Sequence, residues 1–500
     1  MRVFEMLLVT ACAAVMIVLL LRKEANRMAG IITGITCGAL LASQLLFEGY
    51  RWQMIPAYAV AVVLVIAALF KRRKAGKTVR YTVSSLFVLL LGGSVALSLL
   101  LPVFQLPKPT GEFKVGTETL HFVDNSREEI FTKQKGDKRE LMVQVWYPAA
   151  ESGGSGPRPV FPEDPKVFQA YTQGYSGYMK LPAAAFDYWK YFKANAYTGA
   201  EVRPANTPYP VVLLSHGMGV GRILHTSQAE NLASHGYIVF AVDHTYSTVA
   251  TAFPDSRVTG FLTNQSQERF YEDSHTILQV WNKDISFIVD QLEKLNTGAI
   301  ASKFKGKLDI NNIGMMGHSF GGATAFEAVY SNPRIKAGIN MDGTIFETKG
   351  RDDMKKPFMF MESGDFAKVN AEQAKFRKVP ITEEELKALK FTRQQFDTVL
   401  KNRELELKLI DRATQQGGGK VVYVEGTGHY NFTDLQLYSP IISKIGMTGS
   451  INGVRGAELV NHYVLEFFNQ HLRGMKSTLL AGPNQDYPEV KYPKSVSLGE

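Results

Sequence analysis

Four apolar runs in the first 104 residues restrict this chain more than any other feature. They are "VFEMLLVTACAAVMIVLLL" (3–21), "AGIITGITCGALLASQLLF" (29–47), "MIPAYAVAVVLVIAALF" (54–70) and "VSSLFVLLLGGSVALSLLLPVF" (83–104). Each approaches the ~20 helical residues that a hydrocarbon core demands. Few charges interrupt them, so none has the polar face of a soluble surface helix. Glycine and other small residues within the runs suit close helix contact in lipid. The runs predict a four-helix transmembrane bundle over 1–104. A signal peptide could account for the first run alone, but three more runs and the basic residues that follow the first argue against it.

The loops between the runs predict an orientation. The first, "RKEANR", has three basic residues, the second, "EGYRWQ", has one, and the third, "KRRKAGKTVR", has six. Basic loops stay on the cytoplasmic side. Loops one and three are then inside, and the chain leaves the fourth run near Pro102 on the outer face. The Pro-rich stretch that follows reads as a short stiff linker over 105–112.

Charge and cysteine usage narrow the remainder. Net charge is +9, yet residues 1–110 hold 12 Lys/Arg against 3 Asp/Glu. The whole surplus sits there, and the rest of the chain is neutral, which speaks against a broad nucleic-acid-binding surface. The only cysteines, Cys12 and Cys37, lie inside apolar runs. They read as small apolar side chains, and nothing downstream can form a disulfide or a thiolate metal site.

From residue 113 to about 475 the pattern is that of a second domain. "GEFKVGTETLHFVD" and "RELMVQVWYPA" alternate apolar and polar residues, as half-exposed edge strands do. "YPVVLLSHG", "YIVFAVD", "NIGMMG", "AGINMD", "PFMFME" and "KVVYVEG" are short continuous apolar runs, as in buried parallel strands. Helical patterns separate them. "DISFIVDQLEKLN" places Ile285, Ile288, Val289 and Leu292 on one face, and "AELVNHYVLEFFNQHLRG" closes the domain with Gly474 as its stop. This alternation predicts an α/β fold with a mostly parallel central sheet covered on both faces. Residues 367–416 are charged and helical in pattern. They read as an inserted cap or helix pair with a solvated face. Residues 476–500 read as a C-terminal tail.

One stretch, "IGMMGHSFGGATAF" (313–326), carries chemistry. Ser319 stands between a buried strand and a helix, flanked by Gly317 and Gly321. A sharp strand-to-helix turn needs glycines at those two places, because a side chain would strike neighbouring backbone. The helix start beneath the serine favours developing negative charge. Ser319 is therefore the candidate nucleophile. His429, in the loop "TGHYNFTD" after the last strand, is the candidate base. His318 lies inside the motif, and His462 and His471 on the closing helix suit packing or surface roles. Two aspartates end strands between serine and histidine. Asp342 is favoured as the acid because its short apolar run would bury the carboxylate; Asp365 is the alternative. The loop "SHGMGVG" (215–221) can present the Met218 N–H, which with the Phe320 N–H would form an oxyanion hole.

"SHGMG", "GHSFGG", "INMDG" and "GTGHYNFTD", in that order, resemble the platelet-activating-factor acetylhydrolase family of α/β-hydrolase serine esterases. The likeness covers roughly residues 110–475, and its usual secreted form lacks the four apolar runs. It implies Ser319 as nucleophile, Asp342 rather than Asp365 as acid, His429 as base, and Met218 and Phe320 as oxyanion donors. It implies neither metal nor cofactor. The resulting expectation is a multi-pass membrane protein of the cell membrane whose outer domain hydrolyses short-chain or oxidised acyl esters, notably of phospholipids. The aromatic stretch with Tyr171, Tyr175, Tyr178, Trp189 and Tyr191 suits a lipid substrate or ordinary packing. The alternatives are a peptidase or thioesterase on the same residues, or a catalytically idle binding module on a membrane bundle.

Overall fold

A computed structural model describes residues 1–21, 27–70, 76–150, 155–351 and 353–493. Most of the first basic loop, half of the third and the end of the expected tail lie outside these residues. The chain divides into two compact units. The first comprises Met1–Phe104, Pro182–Phe192 and Tyr438–Ile441; the second comprises the rest.

The first unit is built on four helices, α1 (Val3–Leu21), α2 (Arg27–Ser43, continued by a wider turn over Gln44–Glu48), α3 (Ile55–Leu69) and α4 (Lys77–Leu100). Gly34 and Gly38 let α2 approach α3: a Cβ at Gly34 would stand 2.5 Å from the Ala68 Cβ. That spacing of two glycines is a recurrent close-packing device in lipid. Three stretches, Met28–Glu48, Trp52–Leu69 and Lys77–Leu100, are long and apolar enough to cross a membrane. The first expected run forms the 19-residue α1, of which Val3–Val18 counts as a shorter apolar helix among the described residues.

One end of this unit holds buried charge. The Arg51 guanidinium and the Glu5 carboxylate are both buried and 3.0 Å apart. Arg51 also donates to the Leu101 carbonyl at 2.6 Å. Losing either partner would strand a buried ion, so the pair fixes how the helix ends meet. The segment 182–192 and Tyr438 belong to this unit: Tyr191 donates to the Tyr50 carbonyl at 2.8 Å, and the Phe104, Trp189, Phe192 and Tyr438 rings pack together. Trp189 and Tyr191 are therefore packing residues here.

The second unit begins with β1 (Val115–Glu128), β2 (Lys138–Pro148), β3 (Ser155–Pro159), α5 (Pro165–Met179), β4 (Lys193–Thr198) and β5 (Tyr209–Ser215). It continues with α6 (Thr226–Ser234), β6 (Ile238–Asp243), a small hairpin of β7 (Thr251–Ala252) and β8 (Val258–Thr259), α7 (Phe270–Thr297), β9 (Leu308–His318), α8 (Phe320–Ser331), β10 (Ile335–Met341) and β11 (Phe358–Ser363). Last come α9 (Phe366–Lys378), α10 (Glu383–Leu389), α11 (Arg393–Gln416), β12 (Lys420–Val424), two short helices α12 (Leu435–Tyr438) and α13 (Ile441–Lys444), α14 (Gly453–Arg473) and β13 (Val490–Lys491).

All strands except β7 and β8 form one sheet in the order β13-β12-β11-β10-β9-β5-β6-β2-β1-β4-β3. The run from β12 through β6 is parallel. Strand residues alternate between two cores. Val211, Leu213, Met315, Phe358 and Phe360 face one core, together with Ile285, Ile288, Val289 and Leu292 of α7. Val212, Leu214, Met316, Met359 and Met361 face the other, beneath Leu459, Val460, Tyr463 and Phe467 of α14. Period-two alternation in strands buried on both sides gives these two faces directly.

Three expectations change. β1 and β2 are not edge strands, since β2 lies between β1 and β6, and β1 between β2 and β4. The 367–416 stretch is three helices, and the charged α11 buries Leu407, Leu409, Ile410 and Ala413 in the first core. The segment after 475 joins the sheet, where Val490 pairs with Val424 and Leu479, Leu480 and Tyr487 fill the second core.

Candidate active site

The carboxyl ends of parallel strands share one sheet edge, and those of β5, β9, β10, β11 and β12 converge here. β9 ends at His318, and Ser319 is the single residue between it and α8. Ser319 has φ +56° and ψ −122°, a region that costs a non-glycine residue about 1–3 kcal/mol. The surroundings over-determine it. Its N–H donates to the Met341 carbonyl at 2.9 Å, and its carbonyl accepts from Gly322 N–H at 2.9 Å. A Cβ on Gly317 would overlap the Gly321 carbonyl, and one on Gly321 would overlap the Ser215 and His216 carbonyls. The two glycines thus allow the tight turn and its packing against the end of β5. The serine itself remains partly exposed.

Asp342 follows β10 and also takes a positive φ, +55°. Its Oδ1 accepts from the Ser363 N–H at 2.8 Å and its Oδ2 from His429 Nδ1 at 2.7 Å. Burial pushes this carboxyl up, but the His429 bond and charge and the Ser363 bond outweigh it and hold Asp342 below the usual range. Asp365 instead stands exposed at the start of α9. With Nδ1 occupied by Asp342, Nε2 is the His429 nitrogen left for proton transfer, and the side chain is 40% exposed.

His318 anchors the histidine loop. Its Nε2–H donates to the His429 carbonyl at 2.9 Å. Burial, reinforced by His429, pushes His318 well below the ordinary histidine range, so it stays neutral. The loop after β5 comes close as well: a Cβ on Gly217 would lie 3.2 Å from the Ser319 Cβ. Among the described residues, neither the Met218 nor the Phe320 N–H has a protein acceptor. The Met218 and Phe320 side chains share an apolar cluster with Ile277, Trp281 and Phe346. Tyr430, beside His429, bonds hydroxyl to hydroxyl with Tyr178 of α5.

Sequence reasoning missed the polar layer beneath this loop. His244, just past β6, accepts from Ser215 Oγ at Nε2 (2.7 Å) and donates from Nδ1 to Asp284 (2.9 Å). Arg222 binds Asp243 through both its N–H and its guanidinium, and Gly219 N–H donates to the Ser247 carbonyl at 2.9 Å. The loop 215–222 is therefore held down by residues 243–247. Histidine directly after a buried strand in "VFAVDH" was the available signal.

A mostly parallel sheet, with a serine on a strained strand-to-helix turn and a histidine–aspartate pair at the same edge, defines an α/β ester hydrolase. A solved structure, the ferulic acid esterase from Streptomyces cinnamoneus, shares the fold with a TM-score of 0.58 and 28% identity over 79% of this chain and 100% of that one. A family model described as platelet-activating factor acetylhydrolase, isoform II, matches residues 101–479, and the chain belongs to that family. A probable 1-alkyl-2-acetylglycerophosphocholine esterase of Arthroderma benhamiae is 26% identical over 78% of this chain and 94% of that relative. Platelet-activating factor acetylhydrolase of Cavia porcellus is 26% identical over 58% of this chain and 64% of its own length.

Proposed function

We propose that the chain is a membrane-anchored serine esterase acting through an acyl-enzyme on short-chain or oxidised acyl esters, notably of phospholipids. The observation that carries the chemistry is the 2.7 Å bond between His429 Nδ1 and Asp342, with Ser319 on a strained turn at the same sheet edge. Ser319 Oγ attacks the acyl carbonyl while His429 Nε2 takes its proton. Asp342 fixes the imidazole tautomer and stabilises the imidazolium. The N–H groups of Met218 and Phe320 receive the oxyanion, one such donor being worth about 3 kcal/mol. His429 then protonates the leaving alcohol, and a water it activates releases the acid. The apolar cluster around Met218 and Phe320 suits an acyl chain. The acetyl ester in the name of the fungal relative is of the same substrate class.

Residues 1–104 serve as the membrane region, 105–112 as the linker and 113 onward as the hydrolase. The three long apolar helices support the anchoring, and the basic loops support an outer-face hydrolase. Labelling with a fluorophosphonate probe tests the reading, with Ser319→Ala as control. Labelling of the native chain alone, followed by faster turnover of acetyl than of long-chain esters, is the expected result. A native chain that takes no label would end the serine mechanism. Protease added to intact cells should cleave the hydrolase if it faces outward.

A further inference from the structure

His216 is fully buried next to the proposed oxyanion loop, and the mechanism above gives it no task. Its two ring nitrogens are both engaged. Nε2 accepts from the His244 backbone N–H at 3.1 Å, so Nε2 carries no proton. The proton is therefore on Nδ1, which donates to the Gly217 carbonyl at 2.7 Å. That carbonyl belongs to the same peptide group as the Met218 N–H. The imidazole ring is clamped edge-on against Trp281, with centroids 4.9 Å apart, and Trp281 also packs 4.9 Å from the ring of Phe320. Burial and the neighbouring His244 push His216 well below the ordinary histidine range, consistent with a neutral ring.

We propose that His216 is a positioning residue for ester hydrolysis, acting through the Gly217–Met218 peptide. Its Nδ1–H, with the Val220 N–H that donates to the same carbonyl at 3.3 Å, fixes the plane of that peptide, and hence the direction of the Met218 N–H. A hydrogen bond to a peptide carbonyl also draws electron density from the nitrogen, strengthening the N–H as a donor to developing negative charge. The effect would be felt in the transition state, where the oxyanion forms, and little in substrate binding. The proposal rests on the assignment of Met218 to the oxyanion hole.

The test compares an ester with its thionoester, in which sulfur replaces the carbonyl oxygen and accepts these hydrogen bonds poorly. The full-length chain is used in detergent. The native enzyme should favour the oxygen ester by ~10-fold or more. In His216→Gln the amide can still accept at the Nε2 place but has no donor at the Nδ1 place. Its kcat should fall ~10–100-fold with KM nearly unchanged, and the oxygen preference should shrink several-fold. His216→Asn, which restores a donor at the Nδ1 place, should recover most of both. A role confined to holding the His244 N–H gives the reverse order, and that order, or an unchanged preference in His216→Gln, overturns the proposal. A native preference near one instead overturns the oxyanion assignment, and the proposal with it. Should both variants fail to fold, 15N NMR of the native histidines decides: the proposal requires His216 as the neutral Nδ1–H tautomer, and an Nε2–H or charged ring defeats it.

Discussion

Two Ser/His/Asp sets stand at one sheet edge of this protein, and they are unequal. In the first, His429 holds Asp342 at 2.7 Å, and Ser319 occupies a strained turn one residue from a helix start. In the second, Ser215, His244 and Asp284 are joined at 2.7 and 2.9 Å, the bonding expected of a catalytic triad. All three of the latter are buried, however. The His244 ring is stacked 3.9 Å from that of Trp281, and Asp284 is bound by Arg139 at 2.6 Å and Arg127 at 2.9 Å. A carboxylate neutralised by two guanidinium groups has little charge left to stabilise an imidazolium, and a serine sealed in a core cannot meet an ester. Hydrogen-bond order within a triad is thus a poor sign of catalysis. Access, backbone strain at the serine and free N–H groups beside it separate the two sets.

Exchanging alanine for each serine breaks this comparison most directly. Ser319→Ala should lower kcat by ~10⁴–10⁶ and abolish fluorophosphonate labelling. Ser215→Ala should leave kcat within ~10-fold and cost about 1–3 kcal/mol of stability, because His244 Nε2 loses its partner in a buried place. Equal losses of activity from the two changes would mean that the burial argument is wrong. The acids come next. Asp342→Asn should reduce kcat about 10⁴-fold by letting His429 take the wrong tautomer. Asp365→Asn, at an exposed helix start, should change it little; a crippling Asp365→Asn would move the acid to the next strand.

Asp284 sharpens the contrast from the side of folding. Asp284→Asn removes a charge shared by Arg139, Arg127 and His244, leaving Arg139 with Glu129 and Arg127 with Asp124. Breaking a buried ion pair from one side costs about 3–5 kcal/mol, so the thermal midpoint should drop by several degrees while the folded fraction keeps its ester hydrolysis. An unmoved midpoint would show that Glu129 and Asp124 suffice for the two arginines.

The difference between the two sets also explains what could be read from the chain. Ser319, Asp342 and His429 each follow a short apolar run, and a parallel sheet brings such strand ends to one edge whatever their separation in sequence. Asp284 gives no such sign. It opens "DISFIVDQLEKLN", where the pattern reports only the apolar face of α7. Its partners Arg139 and His244 lie on β2 and just past β6, and their meeting depends on β2 being an interior strand, which its alternation did not indicate. The inner face of α11 was hidden in the same way, since four apolar residues among many charges do not say which helix face meets a core. The two-residue β13 is too short for any periodicity. Segments 182–192 and 438–441 joined the helix unit through aromatic contacts that local pattern does not encode.

The one pH-dependent effect concerns the neighbour of the proposed acid. Where Asp284 is answered by arginines, Asp342 faces a second buried carboxyl, Glu362, one residue before the N–H that Asp342 binds. Burial, then the charge of Asp342, push Glu362 up to about 8, with Arg403 pulling it down and Glu406 pushing it up. At neutral pH Glu362 is therefore protonated in the fold and ionised in the unfolded chain, whose glutamates titrate near 4.5. Folding takes up a proton across that interval, so stability falls as pH rises from about 4.5 to about 8, by up to ~1.4 kcal/mol per unit, and flattens above it. Glu362→Gln keeps the shape and removes the titration. Its thermal midpoint should match that of the native chain near pH 5 and exceed it at pH 8. Parallel curves for the two proteins would mean that Glu362 is ionised beside Asp342, and that the proposed acid, like Asp284, draws its charge balance from nearby cations.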